Sequence, residues 1–408
     1  MTDAEFATIL RRGVAEVITE AELLRLLNSG KTLTLKQGFD PSAPDLHLGH
    51  VVGLRKLRQL QQLGHKVALI VGDWTARIGD PSGQSATRPM LSPAEIASNS
   101  QTYTEQFFKV VDKDRTELRW QSEWYSQFTL DEVIKLTSRF TVAQILARED
   151  FNRRYSSGNP ISLTELFYPL LQGYDSVAIE ADVEFGGLDQ KFNCLLGREL
   201  QASMGQSPQQ VFLVPLLVGT DGKQKMSKSL GNQIGVAEPP REMYGKVMSI
   251  PDSLVIDYFD WVTDVPEEEV SEFREQLKAR SVNPMNLKKR LAHEIVSQFH
   301  SAELAREAEE YFQGRFQTRQ LHKLEVQAGI GVKASVEPIH RRDMPRWMVN
   351  NKLASSTGEA KRLLAQGAVR VIGVDGTSQV IRDEAVTLRP GDKIKVGKHH
   401  LSEIRRDS

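Results

Sequence analysis

The spacing of hydrophobic residues between positions 32 and 71 changes twice, which predicts a strand, a helix and a second strand. Residues 32–35 read Thr-Leu-Thr-Leu, an alternation typical of a strand. Within 47–63 leucines recur every three residues from Leu54 to Leu63, with charged and amide side chains between them. Residues 67–71 are continuously apolar, as in a strand buried on both faces. This βαβ order predicts a parallel sheet with helices on both sides.

The patterns along the rest of the chain predict how the domains divide. Apolar runs at 183–185 and 211–218 are candidates for further strands of the same sheet. We therefore predict an α/β fold, with a Rossmann-type catalytic domain over residues 31–234 that carries a helical insertion at about 110–165. The flanking predictions are an N-terminal arm of two short helices in 1–30, a charged helical domain at 235–335 that loosens into a linker near its end, and a small α+β domain at 341–405.

Charge is distributed unevenly along the 408 residues, although the net charge is only −1. From residue 341 onward there are 14 Lys/Arg against 8 Asp/Glu, whereas the preceding residues have 38 against 45. A basic tail on an acidic body is typical of a module that binds a polyanion. The alternative is a solvated basic face without any partner, and charge alone leaves that alternative open.

The remaining composition favours a cytoplasmic protein. Cys194 is the only cysteine, so no internal disulfide can form, which suits a reducing compartment. No apolar run approaches the ~20 residues that span a bilayer. The first residues carry acids early, unlike a secretory signal. No His/Cys cluster has metal-ligand spacing, so no structural zinc is expected.

Two short motifs, about 180 residues apart, carry the strongest chemical signal. Residues 47–50 read His-Leu-Gly-His at the start of the predicted crossover helix, and residues 225–229 read Lys-Met-Ser-Lys-Ser in a loop between glycines. Each motif alone is more often a solvated surface feature. Together, in this order, they resemble the two signatures of the class I aminoacyl-tRNA synthetases, with Leu48 in place of the usual isoleucine. The resemblance implies ATP, with Mg²⁺, as a substrate, and His47, His50, Lys225 and Lys228 as catalytic residues.

The physical chemistry of amino-acid activation agrees with this resemblance. Attack of a carboxylate on the α-phosphate of ATP builds negative charge, so catalysis depends on positioning and on preorganised donors. A helix amino terminus, where both histidines lie, already favours anions. Gly49 has no side chain, so an adenine ring can approach the backbone there. Lysines on a hinged loop can close over the triphosphate after it binds.

A second group of residues points to the amino acid. Tyr168, Gln172 and Asp175 share one helical face, and residues 186–190 read Gly-Gly-Leu-Asp-Gln. Read without the resemblance, this is a helix with a polar edge. With Gly-Phe-Asp-Pro at 38–41 it resembles the tyrosyl-tRNA synthetases. The resemblance implies a tyrosine site made of Lys36, Asp80, Tyr168, Gln172, Asp175 and Gln190, and an ATP site made of Asp40, Ser42, Gly49, Asp189, Met226 and Lys228.

Within that resemblance, the implied role of Asp175 is to accept a hydrogen bond from the substrate phenol, so that phenylalanine would leave a buried carboxylate unpaired. Lys36 departs from the pattern, because many relatives have a tyrosine there that also contacts the phenol. Gln84 replaces a basic residue common in the family, while Arg88 keeps a positive charge nearby for the acceptor end of the RNA.

The tail resembles the small S-four-type RNA-binding domain, through Arg346-Trp347-Met348, the segment 359–364 and the closing Gly-Asp-Lys-Ile at 391–394. The implied partner is the long variable arm and anticodon region of a tRNA. Exposed cations suit the backbone of a structured RNA, with strong salt dependence. The RNA-binding residues expected are Arg88, Arg346, Lys352, Lys361, Arg362 and Arg370.

These observations favour a tyrosine–tRNA ligase that acts on L-tyrosine, ATP and tRNA(Tyr), and that forms a homodimer through the insertion by analogy with the family. Two alternatives remain open: another class I ligase such as the tryptophanyl enzyme, and a non-catalytic RNA-binding relative. Without the resemblance, the residues alone indicate a nucleotide-binding α/β enzyme with a basic RNA-binding tail.

Overall fold

The computed structural model describes residues 9–42, 45–82, 90–314, 329–332, 339–340, 342–373, 378–381, 385–397 and 400–406. The chain divides into two compact units, Met1–Gln313 and Gly314–Ser408. Within the described ranges, no helix combines the length and the apolar character needed to cross a membrane.

The first unit contains a six-stranded sheet in the order β1-β6-β5-β2-β3-β4. All neighbouring strands are parallel except β1, which runs antiparallel to β6. The strands are β1 (Glu16–Ile18), β2 (Thr34–Phe39), β3 (Lys66–Val71), β4 (Thr116–Trp120), β5 (Val183–Gly187) and β6 (Gln210–Val214). Since β2 is followed in sequence by β3 on one side and flanked by β5 on the other, strand order reverses at β2, where ligands bind in such sheets. The predicted α/β fold with a parallel sheet is confirmed.

Helices account for most of the remaining first unit. They are α1 (Glu20–Leu27), α2 (Leu48–Gln62), α3 (Thr75–Ile78), α4 (Pro93–Phe107), α5 (Ser122–Tyr125), α6 (Leu130–Thr137), α7 (Val142–Leu146), α8 (Glu149–Ser156), α9 (Leu163–Ala178), α10 (Lys191–Ser203), α11 (Pro240–Ser249), α12 (Val255–Val262), α13 (Glu267–Lys278), α14 (Pro284–Phe299) and α15 (Ala302–Phe312). The leucine stripe of α2 is buried as expected, because that face packs on the sheet.

The expectation of only helices in the first thirty residues is wrong. Residues 16–18 form β1, in which Glu16 lies opposite Leu213 of β6. A strand of three residues is too short to show an alternation, and its stability comes from pairing with residues almost 200 positions away. The apolar run at 211–218 was predicted to be a strand, but the strand it forms is shorter, since β6 ends at Val214.

One hydrophobic core runs through the first unit, from the sheet into the helices after residue 240. It contains Leu54 of α2, Phe212 of β6, Tyr244 of α11 and Leu291 of α14, each fully buried. The core therefore does not stop at the domain boundary predicted near residue 235, and the predicted boundaries stay predictions.

The second unit is a small α+β structure. Its elements are β7 (Gly329–Val332), β8 (Ile339–His340), α16 (Met344–Asn350), α17 (Thr357–Ala365), β9 (Val369–Ile372), β10 (Ser378–Val380), β11 (Ala385–Val386), β12 (Lys393–Val396) and β13 (His400–Arg406). Five strands form one sheet in the order β10-β9-β12-β13-β7. Ser356 caps α17, since its hydroxyl accepts a hydrogen bond from the Glu359 amide at 3.2 Å. Met344, Met348 and Ile394 form part of a core of its own.

Candidate active site

The His-Leu-Gly-His segment is held in place by the chain that follows the lysine loop. The Leu48 amide donates to the carbonyl of Ile234 at 2.9 Å, and the Val236 amide donates to the carbonyl of Leu46 at 3.0 Å. These backbone bonds tie the start of α2 to residues 234–236. They therefore bring together two motifs that are far apart in the sequence.

The rings of the two histidines lie against each other at the start of α2, with centroids 3.9 Å apart and planes inclined by 31°. The backbone amide of His47 donates to Nδ1 of His50 at 3.2 Å. Burial lowers the pKa of His50 to about 4, with a further decrease from the charge of Lys228, and burial lowers the pKa of His47 well below its usual value. Both imidazoles are therefore neutral at pH 7, so they offer hydrogen bonds rather than positive charge.

Positive charge at this site comes from the lysine loop. Lys225 pairs with Asp189, with 2.7 Å between its Nζ and Oδ2. Lys228 lies over the ring of Tyr103, 5.8 Å from the centroid, and its buried ammonium has no hydrogen-bond partner among the described residues. Burial lowers the pKa of Lys228 to about 8. An ammonium that is charged and without a partner is suited to meet an anionic ligand.

The loop itself is organised around one amide side chain. Asn232 accepts a hydrogen bond from the Ser227 amide at 2.8 Å and donates to Asp221 at 3.0 Å. Met226 packs towards α2, so that a side-chain carbon added at Gly49 would lie 3.7 Å from Met226 Cβ and 3.0 Å from the His47 ring. Gly49 thus leaves the surface between the two motifs open.

Asp175 of α9, which is expected to lie at the floor of a tyrosine slot, is 2% exposed. Its carboxylate accepts hydrogen bonds from Gln121 Nε2 at 2.8 Å and Trp124 Nε1 at 3.2 Å. The Tyr125 hydroxyl lies 3.3 Å from the carboxylate, but its single proton is directed to the Leu171 carbonyl at 2.5 Å. Burial raises the pKa of Asp175 to about 7, while the nearby charge of Lys36 opposes the rise. A buried carboxylate with this acceptor capacity matches a ligand hydroxyl.

Asp40 connects the slot to the end of β2. Its carboxylate accepts from the Tyr168 hydroxyl at 2.9 Å and from the Thr75 hydroxyl at 2.6 Å. Burial, together with the charges of Asp40 and Asp80, raises the pKa of Tyr168 well above its usual value. Tyr168 therefore stays a neutral phenol whose oxygen faces two acids.

Three further residues expected in the site are joined by hydrogen bonds. Gln190 Nε2 donates to Asp80 at 2.8 Å, and Asn193 Nδ2 donates to Gln190 at 3.1 Å and to Gln172 at 2.9 Å. The fold thus connects Asp80, Gln172 and Gln190 although the three lie in separate segments of the sequence.

Lys36 is placed differently from a residue that contacts a ligand directly. It is fully buried, and its ammonium donates to Glu184 at 2.9 Å, to the Ser176 hydroxyl at 2.7 Å and to the Gln172 carbonyl at 2.8 Å. Three acceptors match its three protons. A direct contact between Lys36 and tyrosine stays a prediction.

The known proteins that are similar to this chain agree with the geometry of the site. The family model described as "tRNA synthetases class I (W and Y)" matches residues 28–317. A Dehalococcoides mccartyi protein named tyrosine–tRNA ligase is 56% identical over 395 residues, which cover 97% of each chain. A Thermotoga maritima protein of the same name is 48% identical over 407 residues, or 99% of this chain and 98% of the relative. The chain belongs to the class I tyrosyl-tRNA synthetases. The resemblance of the sequence to this family is thereby confirmed, whereas the S-four-type identity of the tail stays a prediction.

Solved tyrosyl-tRNA synthetase structures share the fold at lower identity. The C-terminally truncated mitochondrial enzyme of Aspergillus nidulans superposes with a TM-score of 0.65 at 21% identity, over 77% of this chain and 95% of that one. The Archaeoglobus fulgidus enzyme, solved in complex with L-tyrosine, gives 0.60 at 24% identity, over 75% of this chain and 99% of that one.

The sequence did not reveal the three polar side chains that surround Asp175. Gln121, Trp124 and Tyr125 follow β4, about 50 residues before Asp175, and they form no motif with it. A polar residue directly after a parallel strand was the available signal, because ligands of open parallel sheets lie beyond the carboxyl ends of the strands.

The remaining predicted residues make fewer contacts that bear on the site. Ser42 is exposed, and its amide donates to the Asp40 carbonyl at 2.7 Å. Arg88 and Gln84 lie outside the described residues. In the second unit the expected RNA-binding side chains are all exposed: Arg346, Lys352, Lys361, Arg362 and Arg370.

Proposed function

We propose that this protein is a tyrosine–tRNA ligase, which converts L-tyrosine and the magnesium complex of ATP into tyrosyl-adenylate and pyrophosphate, and then transfers tyrosine to the 3′ end of tRNA(Tyr). One observation carries the choice of amino acid. Asp175 shares one face of α9 with Tyr168 and Gln172, and it is a buried carboxylate held by donors from Gln121 and Trp124, which supports a slot that ends in an acceptor for a phenol. The names of the relatives support the same choice.

In the proposed first step, the slot holds tyrosine and the motifs hold ATP. Asp175 accepts a hydrogen bond from the phenol, while Asp80, Tyr168, Gln172 and Gln190 surround the α-ammonium. Asp40, Ser42, Gly49, Asp189 and Met226 receive the nucleotide. With the amino acid fixed at both ends, its carboxylate is oriented towards the α-phosphate, which lowers the entropic part of the activation barrier.

The charge that develops on the phosphates is met by two kinds of donor. His47 and His50 are neutral, so they donate hydrogen bonds without repelling the loop lysines. Lys225 and Lys228 supply the positive charge. For Lys225 this requires exchange of Asp189 for a phosphate oxygen, whereas Lys228 has no such partner to exchange among the described residues. Donors that strengthen as charge develops stabilise the transition state.

Exchange of labelled pyrophosphate into ATP, measured with each amino acid in turn, tests this proposal. Tyrosine alone should support exchange. Exchange with tryptophan instead would assign the chain to the sister ligase, and no exchange with any amino acid would leave the non-catalytic RNA-binding alternative. The variant Asp175→Ala should weaken use of tyrosine by more than ~10-fold, since a charge-assisted hydrogen bond contributes ~1.5–3 kcal/mol.

We further propose that the second unit binds the tRNA through its exposed cations. Charge reversal at Arg362 or Arg370 should then reduce transfer to tRNA and make transfer less steeply dependent on salt than in the wild type, while leaving pyrophosphate exchange unchanged. Equal loss of both steps would mean that the substitutions act on folding. The cytoplasmic location stays part of this proposal, supported by a lone cysteine that is buried and unpaired.

A homodimer is also part of the proposal. Within the insertion, several large apolar side chains are exposed to between 56% and 77% of their area: Leu130, Ile134, Val142, Tyr155 and Leu163. Large apolar side chains that are exposed in a single chain are often buried when a protein interface forms. Sedimentation equilibrium should give twice the chain mass, and Leu163→Glu should shift the population towards the monomer. A wild-type protein of single-chain mass would refute the dimer.

A further inference from the structure

Two buried charges lie at either end of the hydrogen-bonded group that contains Gln172 and Gln190. Glu184 of β5 is 1% exposed, and its carboxylate accepts from Lys36, Gln172, Ser176 and Gln209. Arg148, between α7 and α8, is 5% exposed, and its guanidinium donates to Ser82 and Asn193 and pairs with Asp150. Neither charge is among the residues expected to contact a substrate.

The side-chain amides between these charges have only one consistent orientation. A carboxamide turned by 180° fills the same space, so its neighbours decide which end is nitrogen. Glu184 only accepts, so Gln172 directs Nε2 towards it, 3.1 Å away. The Gln172 oxygen therefore faces Asn193, whose Nδ2 lies at 2.9 Å.

Arg148 fixes the orientation of Asn193 at the other end of the group. Arg148 only donates, so Asn193 directs its oxygen towards the guanidinium at 3.0 Å. Its nitrogen is left for the oxygens of Gln172 and Gln190. Gln190 in turn directs its nitrogen to Asp80. Glu184 and Arg148 therefore require the same set of amide orientations for Gln172, Asn193 and Gln190.

This direction determines what the slot offers to a cation. The Gln172 oxygen has a second lone pair beyond the one used by Asn193, Asp80 is a carboxylate, and the Tyr168 hydroxyl gives its proton to Asp40 and keeps its lone pairs. All three are acceptors, and an ammonium has three protons to donate. With the Gln172 amide reversed, an N–H group would face the ammonium.

We propose that Glu184 and Arg148 are positioning residues that fix the amide orientations of Gln172, Asn193 and Gln190, so that the ammonium end of the slot consists of acceptors. The proposal rests on the proposed tyrosine site. Lys36 takes part as the counter-ion that allows a buried glutamate at position 184, since an unpaired buried charge is strongly destabilising.

A matched pair of double variants tests the role of Glu184. Lys36→Met with Glu184→Gln removes both charges but keeps an acceptor for Gln172, whereas Lys36→Met with Glu184→Leu removes the acceptor as well. Replacing both partners of a buried ion pair by neutral groups of similar volume is generally tolerated. If the leucine variant does not fold, Glu184→Met in the same background replaces it, because methionine adapts to irregular space.

Calorimetric binding of three ligands separates positioning from general packing. Tyrosine and tyramine carry the ammonium, whereas 3-(4-hydroxyphenyl)propanoate has the phenol and carboxylate but no ammonium. The leucine variant should bind tyrosine and tyramine about tenfold more weakly than the glutamine variant, with equal affinity for the propanoate. Glu165→Gln is the control, because Glu165 is a buried acid on α9 that pairs with Arg154 instead. It should leave all three affinities unchanged.

Two results would overturn this inference. Equal tyrosine affinity in the leucine and glutamine variants would show that the acceptor at position 184 does not matter. A parallel loss for all three ligands would show that Glu184 acts only through packing. Failure of the proposed function is a separate result, since the wild-type protein would then bind neither tyrosine nor tyramine.

Discussion

Replacing Asp175 with asparagine shows how much the buried carboxyl group lowers the free energy of unfolding. Burial raises the pKa of Asp175 to about 7, against an ordinary value of about 4 in an unfolded chain. Between these values the folded protein holds a proton that the unfolded chain has released. The free energy of unfolding contributed by Asp175 therefore falls as pH rises from about 4 to about 7.

The magnitude follows from the same two values. Each pH unit within that window changes the free energy by about 1.4 kcal/mol, so between pH 5 and pH 8 the loss is about 3 kcal/mol. The asparagine of the variant does not titrate. Its amide turns one N–H towards the donors around it, which lowers the free energy of unfolding by the same amount at every pH. This penalty cancels when the free energies of unfolding at the two pH values are compared.

Urea unfolding of the ligand-free wild type and of Asp175→Asn, at pH 5 and pH 8, is the assay. The difference in unfolding free energy between the two proteins should move by about 3 kcal/mol in favour of the variant as pH rises. The variant should also lose tyrosine-dependent pyrophosphate exchange. If the difference is the same at both pH values, Asp175 is ionised normally in the fold, and our account of the slot is wrong.

Three further predictions concern the rest of the site and the sheet. Gly72→Ala should abolish most tyrosine-dependent pyrophosphate exchange, because its new Cβ would overlap Asp40 Oδ1 and Thr75 Oγ1. In the control, Gly245→Ala, the new Cβ has no atom within 4 Å, so the exchange rate should not change. The kcat/KM for ATP should fall above about pH 8 as Lys228 loses its proton, and Lys228→Arg should remove that fall; identical profiles would exclude Lys228 as the titrating group. Phe185→Ala should reduce the unfolding free energy by about 3–5 kcal/mol, since Phe185 is buried in the sheet and stacks on Phe212 at 4.7 Å; a loss below about 1 kcal/mol in urea unfolding would contradict this.

The sequence was most informative where the signal was local. The leucine stripe of α2 and the apolar run of β3 predicted their elements because each pattern lies within one segment. The helical face formed by Tyr168, Gln172 and Asp175 was predicted for the same reason, since steps of three and four residues put side chains on one face.

The contacts that sequence reasoning missed are all long-range. Glu184 meets Lys36 across 148 positions, and no spacing rule connects residues so far apart. Gln121 reaches Asp175 across 54 positions. β1 depends on a strand that comes almost 200 residues later. Such pairs are fixed by strand order, which hydrophobic periodicity does not determine.

Gln121 has a consequence for how the slot can change. Its nitrogen holds Asp175, and its oxygen accepts from the Thr75 amide at 2.9 Å, next to the hydroxyl that Thr75 gives to Asp40. One side chain thus contacts both the proposed phenol end and the proposed nucleotide end of the site. Redesigning the floor for a different amino acid would therefore alter ATP affinity as well, and by reciprocity ATP would alter discrimination between amino acids. New substrate ranges in this scaffold should require paired substitutions, one at the floor and one beside Thr75.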